Sequence, residues 1–195
     1  PGWGRRKGQT GSMEAIVLDG NERSALAVTR SLGMMGIKVT VGADVSPSLS
    51  SCSKYCNASF LYPSPYGASD DFIHGILKHT NIGRGVVLFP MTDATLSEVL
   101  RRKKEFDTSV IIPFEDYEKY VQVSDKSKLF HQARALNIPI PKTIASSDYP
   151  GNSIPGDALS GVAYPLVVKP CFSRFRTPAG VVSANVRYAH DEYGL

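Results

Sequence analysis

The chain has 195 residues, of which 42% are hydrophobic and 21% are charged, and its formal net charge is +4. This composition is typical of a globular protein with a real core, and no apolar run reaches the roughly 18 residues that a membrane span needs. Residues 1–12 carry three cations and no acid, so the net charge does not indicate a nucleic-acid-binding surface. We expect these twelve residues, rich in glycine and polar side chains, to be a disordered tail or a remnant of vector sequence outside the fold.

The three cysteines are Cys52, Cys56 and Cys171. An odd number without a recognisable secretion signal favours free thiols in the cytoplasm. Cys52 and Cys56 resemble half of a metal site, but no second pair of Cys or His has ligand spacing. His74 and His79 are five residues apart and do not share a helix face, so the sequence predicts no metal ligands among these residues.

Strands and helices alternate over the first 113 residues. The predicted strands are 14–19, 37–43, 58–62, 85–90 and 109–112, and the predicted helices lie within 20–36, 68–80 and 93–106. Such alternation indicates an α/β fold with a doubly wound, Rossmann-like parallel sheet and helices on both faces. We expect this domain to occupy residues 13–120.

The pattern changes in residues 121–195, which we expect to belong to a second domain. A helix is predicted at 124–137, a short strand within 138–146 and a turn-rich segment at 148–163. The stretch "YPLVVKP" at 164–170 predicts a buried strand, and a strand at 181–188 follows a glycine-ended loop at 171–180.

Lys169 ends the apolar strand, and two interpretations stay open for it. A lysine at a strand end is commonly just solvated. In the second interpretation, the rigid strand, the exit direction set by Pro170 and the loop with Ser173, Arg174 and Gly180 form an anion site that suits phosphate best.

Lys126 supports the anion site from another element. It lies near the start of its predicted helix, where a cation is disfavoured by about 0.3–1 kcal/mol. A bound anion would explain this position, because helix N-termini attract phosphate. Lys126 and Lys169 are therefore candidates for holding one polyphosphate between them.

Three segments resemble the ATP-grasp ligases, particularly the group similar to the carbamoyl-phosphate synthetase large subunit. "VSDKSKLFHQARALNIPIPKT" is similar to the opening helix of the ATP-grasp fold, and "YPLVVKP" to the strand with its phosphate-binding lysine. "AIVLDGNERSALAVTRSLGMMGIKVTVG" resembles the start of the Rossmann-like pre-ATP-grasp domain, and this resemblance implies the strand order 3-2-1-4-5. The resemblance implies an α+β ATP-grasp domain that begins near residue 121, and a ligase that uses ATP and Mg²⁺ to activate a small carboxylate as an acyl phosphate.

Two departures from the family qualify this resemblance. The loop at 171–180 has one glycine and two arginines where many members have a glycine-dominated loop. The family's adenine-contacting linker and magnesium ligands would lie beyond Leu195, so we expect the chain to be the front part of a longer enzyme and to be inactive alone. The expected partners are ATP and a carboxylate, with no nucleic acid and no membrane.

The first domain offers weaker candidates at the ends of its strands. Asn21, Glu22 and Arg23 follow the first strand, and Asp93 follows the fourth, where doubly wound sheets bind ligands. Helix capping by Asn21 and Asp93 is the alternative interpretation. A nucleotide-binding oxidoreductase or sensor would need G-x-G-x-x-G at the first turn, but "DGNERSALA" has one glycine. A non-catalytic binding module is the third hypothesis.

Overall fold

The computed structural model describes residues 13–67, 69–80, 85–172, 174–177, 180–183, 185–191 and 194. The chain divides into two compact units, one that ends at Glu115 and one that begins at Asp116. The tail at 1–12, Ser173, Pro178 and Ala179 lie outside the described residues, so the expectations for the tail and for Ser173 stay expectations.

The described part of the first unit contains five strands and three helices that alternate as the sequence predicts. They are β1 (Glu14–Val17), α1 (Arg23–Met34), β2 (Val39–Ala43), β3 (Ala58–Leu61), α2 (Ser69–Thr80), β4 (Val86–Phe89), α3 (Asp93–Arg101) and β5 (Val110–Ile111). The strands form one parallel sheet in the order β3-β2-β1-β4-β5. The predicted fold class is therefore confirmed. Helix α3 is shorter than predicted, because a separate 3-10 turn follows it at Lys103–Glu105.

The core of the first unit lies on both faces of the central strands. All four residues of β1 are buried. All of them except Glu14 are apolar, as is typical of a strand that is covered on both faces. On one face, Ala15 and Val17 pack with Ala25 of α1 and with β2. In α2, three apolar residues at helical spacing are fully buried: Phe72, Ile73 and Ile76. Burial of these stripes holds both layers of helices to the sheet.

Helix α1 ends in a Schellman motif that Gly36 makes possible. Gly36 has a φ of 79°, in the left-handed region that favours glycine. Its amide donates to Gly33 O at 3.0 Å, and the amide of Ile37 donates to Leu32 O at 3.1 Å. This motif ends α1 within the predicted segment 20–36 and turns the chain into β2.

The second unit combines two helices with two short antiparallel pairs of strands. Its elements are α4 (Tyr117–Ser124), α5 (Lys126–Ala135), β6 (Leu166–Val168), β7 (Arg174–Thr177), β8 (Gly180–Ser183) and β9 (Arg187–Ala189). Strand β6 pairs with β9, and β7 pairs with β8. Three 3-10 turns lie between residues 146 and 159, in the segment predicted to be rich in turns.

Several boundaries predicted for the second unit are wrong. The segment 171–180 is not a loop throughout, because Arg174–Thr177 and Gly180–Ser183 form a β-hairpin. The predicted strand at 181–188 is split between β8 and β9. Arg174–Thr177 alternates arginine with Phe175 and Thr177, and Gly180–Ser183 contains two valines, so both segments favour strands. Residues 138–145 form no strand, and helix α4 was not predicted.

The strand in "YPLVVKP" is more exposed than its composition suggests. Val167 is 50% exposed and Val168 is 38% exposed, so the prediction of a buried strand is wrong. Strand β6 has one partner, and only Asp125 and Ala189 are buried among those residues of the second unit whose exposure the structure describes. None of the described helices is both long and apolar enough to cross a membrane.

Candidate functional site

The N-terminus of α5 is capped by Asp125, not by Ser124 as the predicted helix boundary implied. The Asp125 carboxylate accepts from the amide of Ser127 at 2.9 Å and from the amide of Lys128 at 3.4 Å. Asp125 is 8% exposed, so this charge is held at the positive end of the helix dipole. The position of Lys126 therefore needs no bound anion to explain it, because Asp125 already supplies the favourable charge.

Lys126 is the first residue of α5 and makes two contacts with the segment after β6. Its amide donates to Cys171 O at 3.2 Å, and its Nζ donates to the same oxygen at 3.3 Å. Cys171 follows Lys169 by two residues, so their Cα atoms are at most about 7.6 Å apart. The helix end and the strand end that carry the two predicted lysines are thus joined at one carbonyl group.

Lys169 lies directly after β6 and is exposed. Its ammonium makes no hydrogen bond or ion pair with the described residues. Arg187 of β9, which the sequence analysis missed, is also exposed and pairs in register with Val168, the residue before Lys169. Together with Lys126, this end of β6 carries three cations against one buried carboxylate, Asp125. Such a cluster suits an anion, and it can bind one through side chains because the helix amides are already paired.

Arg174 and Gly180, two further predicted site residues, lie in the hairpin. Arg174 opens β7 and pairs in register with Ser183, and Gly180 opens β8 and pairs with Thr177.

The pairing of β6 with β9 that brings in Arg187 joins residues about twenty positions apart. No local sequence pattern predicts this pairing, which explains why Arg187 was missed.

The predicted substrate residues of the first unit are exposed at the start of α1. The N-cap residue is Glu22, whose side chain makes no capping hydrogen bond. Asn21 does not cap the helix, because its Oδ1 accepts from the amide of Leu49 at 3.1 Å. Arg23 is the first residue of α1 and is exposed. Among the described residues, no hydrogen bond joins the side chains of these three residues to another charged group.

Asp93 is the first residue of α3, and the capping interpretation of it is wrong by one position. Thr92 is the N-cap, and its side chain accepts from the amide of Thr95 at 3.3 Å. Threonine and aspartate are both good N-caps, so the sequence alone did not distinguish them. Asp93 is exposed at this helix end, where an acidic side chain interacts favourably with the positive end of the helix dipole.

A polar centre that the sequence analysis missed lies at the carboxyl end of β1. Asp19 has a φ of 59°, a left-handed conformation that aspartate tolerates better than most residues. Its Oδ2 accepts from the amides of Met91 and Thr92 at 2.8 Å each, and from the hydroxyl of Thr95 at 2.6 Å. The carboxylate therefore ties the end of β1 to the segment that joins β4 to α3.

Tyr62 completes this centre from the end of β3. Its hydroxyl accepts from the Asp19 amide at 2.8 Å and donates to Asp19 Oδ1 at 3.2 Å. Burial raises the pKa of Tyr62 above its ordinary value, and the Asp19 carboxylate adds to this shift, so the hydroxyl stays a neutral donor. These contacts join residues 43 to 76 positions apart, which is why no local motif revealed them.

Comparison with known proteins gives one informative result. No protein-family model matches the chain, and no curated protein sequence matches it. Among solved structures, the crystal structure of L-amino acid ligase from Bacillus licheniformis is similar, with a TM-score of 0.56 and 13% sequence identity. This likeness shows the fold. It covers 93% of this chain but 39% of that L-amino acid ligase, so the chain spans well under half of the ligase's length.

Proposed function

We propose that this chain is part of an ATP-dependent ligase that joins a carboxylate to an amine or a thiol, and that its second unit binds the nucleotide phosphates. The observation that carries the proposal is that Lys126 binds the carbonyl of Cys171, which lies two residues after Lys169. One ammonium group is fixed by a helix end and the other follows a strand end. Phosphoryl transfer depends on such positioning and charge neutralisation.

Two independent likenesses support the same reaction class. The segments around both lysines resemble ATP-grasp ligases in sequence, and the fold is similar to that of an L-amino acid ligase. That protein is named for the ligation of an amino acid, which is a carboxylate substrate. The chain covers 39% of that protein's length, so the ligation reaction of a whole enzyme belongs to the proposal.

The proposed reaction has two balanced steps. A carboxylate oxygen of the substrate attacks the γ-phosphorus of ATP, the bond to the β–γ bridging oxygen breaks, and ADP leaves. The amine or thiol then attacks the carbonyl carbon of the acyl phosphate, loses a proton and displaces phosphate. Lys126 and Lys169 stabilise the charge on the phosphate oxygens in the first step. Arg174 and Gly180 remain proposed contacts of the same phosphates, and Asn21, Glu22, Arg23 and Asp93 remain weaker candidates for substrate binding.

The expected magnesium ion has no recognisable cluster of ligands among the described residues. No group of three or more His, Cys, Asp or Glu side chains among them could hold a metal ion. We therefore assign no magnesium ligand to this part of the chain and derive no step through the metal.

The structure of the first unit disfavours the alternative of a nucleotide-binding oxidoreductase. In doubly wound sheets the pyrophosphate binds at the carboxyl edge of the strands. Here the Asp19 carboxylate already accepts from the amides of Met91 and Thr92 at that edge. A negative charge in this position would repel a pyrophosphate, so nucleotide binding by the second unit agrees better with the structure.

The proposal is tested by mapping nucleotide contacts on the ¹⁵N-labelled chain. Addition of ATP with Mg²⁺ should shift the amide signals of Lys126, Lys169 and Cys171 in a saturable way. The signals of Met91 and Thr92 should stay unchanged. Shifts confined to the first unit would support the oxidoreductase or sensor alternative, and the absence of any saturable shift would overturn the proposal.

A further inference from the structure

The carboxyl edge of the five-stranded sheet is occupied by the protein itself. The strand order β3-β2-β1-β4-β5 places the change of direction between β1 and β4. Doubly wound sheets bind their ligands in the crevice at such a point. In this chain Asp19 lies at the end of β1 and reaches across to the segment after β4.

We propose that Asp19 is a conformational lock, which holds the segment from Met91 to Thr95 against the ends of β1 and β3 and keeps this crevice closed to anions. The inference concerns the first unit alone and does not depend on nucleotide binding by the second. A lock of this kind limits what can enter the crevice, because a negatively charged ligand must first displace the carboxylate.

The contacts that form the lock come from three different strand ends. Asp19 follows β1, Tyr62 follows β3, and Met91 and Thr92 follow β4. Both carboxylate oxygens are used, one by Tyr62 and the other by three donors after β4. Thr95, which supplies the third donor, is fully buried, so water does not replace the carboxylate at that hydroxyl.

The backbone of Asp19 adds a second feature of a lock. Its left-handed conformation is uncommon for a residue with a side chain, and such conformations persist where the surroundings hold them. The hydrogen bonds of Asp19 supply that restraint. Replacement by glycine removes the carboxylate and suits the same φ, so Asp19→Gly separates the loss of the contacts from backbone strain.

Amide hydrogen exchange in the whole chain measures the lock directly. In Asp19→Gly, exchange at Met91 and Thr92 should become about 10- to 150-fold faster, as expected for loss of a hydrogen bond to a charged acceptor. Exchange at Leu88, in the core of β4, should stay unchanged. The matched control is Asp44→Gly, which removes an exposed carboxylate after β2 that makes no hydrogen bond with either amide.

Adding a free carboxylate to the Asp19→Gly variant distinguishes the proposed lock from a purely structural role of Asp19. In Asp19→Gly, sodium acetate should restore slow exchange at Met91 and Thr92 in a saturable way, and sodium chloride at the same ionic strength should not. Asp19→Asn, which keeps an oxygen acceptor and tolerates the left-handed backbone, should show a smaller acceleration and provides the test if the glycine variant does not fold.

Any of three results would overturn the lock. The first is wild-type exchange rates at Met91 and Thr92 in both Asp19 variants. The second is a saturable response of these two amides to acetate in the wild-type chain, because a closed crevice admits no carboxylate. Absence of an acetate effect in a folded Asp19→Gly chain would equally contradict the proposal.

Discussion

Replacing Tyr62 with phenylalanine removes one oxygen atom from the polar centre and leaves the ring in place. The ring packs edge-on against Phe72 at a centroid distance of 5.3 Å, and Tyr62 is 4% exposed. The lost hydroxyl donates to the Asp19 carboxylate, a charged acceptor, and such a bond is worth about 1.5–3 kcal/mol. The Asp19 amide also loses its acceptor, which costs about 1–3 kcal/mol if it stays unpaired. Because Asp19 is partly exposed and water can reach it, we expect a total loss of about 2–4 kcal/mol.

Urea unfolding, followed through the amide signal of Leu88 in β4, measures this loss in the first unit. With an m-value of about 2 kcal/mol/M, the midpoint of Tyr62→Phe should fall by roughly 1–2 M. The control is Tyr55→Phe, because the Tyr55 hydroxyl makes no hydrogen bond with the described residues; its midpoint should stay within about 0.3 M. A Tyr62→Phe midpoint equal to that of the wild type would refute the reasoning, since the hydroxyl would then contribute nothing.

Two predictions follow from shifted pKa values. The hydrogen bond from Arg102 lowers the pKa of Glu105, so Arg102→Met should raise that pKa toward its ordinary value of about 4.3, as measured by NMR titration. Because the pKa of Glu105 is depressed in the folded state, the pair stabilises the protein above about pH 4.3, and this contribution is lost as the pH falls through the folded-state pKa. An unchanged Glu105 pKa in Arg102→Met would contradict the assignment. Burial raises the pKa of the Cys56 thiol, so iodoacetamide at about pH 8 should alkylate Cys56 more slowly than the exposed Cys52 and Cys171, and equal rates would contradict it.

The fold of the first unit follows from patterns that are local in sequence. Short apolar runs alternate with helical periodicity, and a strand joined to a parallel strand through a helix makes a right-handed crossover. Stop signals such as Gly36 set most element ends of this unit to within two or three residues, and the end of α3 is an exception. The strand order was taken from the resemblance to a known family, and the hydrogen-bonded register confirms it.

The second unit and the polar centre were harder to predict, for a shared physical reason. The pairing of β6 with β9 and the contacts of Asp19 with Tyr62 and Thr95 all join residues that are distant in sequence. The apolar composition of β6 predicted a buried strand. Burial, however, requires other elements to cover the strand, and the residues beside it in the sequence do not show whether such elements are present. The positions of Lys126 and Lys169 at a helix start and a strand end were predictable, because each depends on its own element.

The most direct test of the central claim is the ATP affinity of the protein. Calorimetry with Mg²⁺-ATP should show that Lys169→Ala weakens binding by about 10- to 150-fold, the equivalent of one hydrogen bond to a charged group. Lys142→Ala removes another exposed lysine of the second unit and should change the affinity by no more than about twofold. If both variants keep the wild-type melting temperature, the loss of ATP affinity is due to the lost contact with ATP and not to unfolding. An unchanged ATP affinity in Lys169→Ala would contradict the account, and Lys169 would then be a solvated strand end.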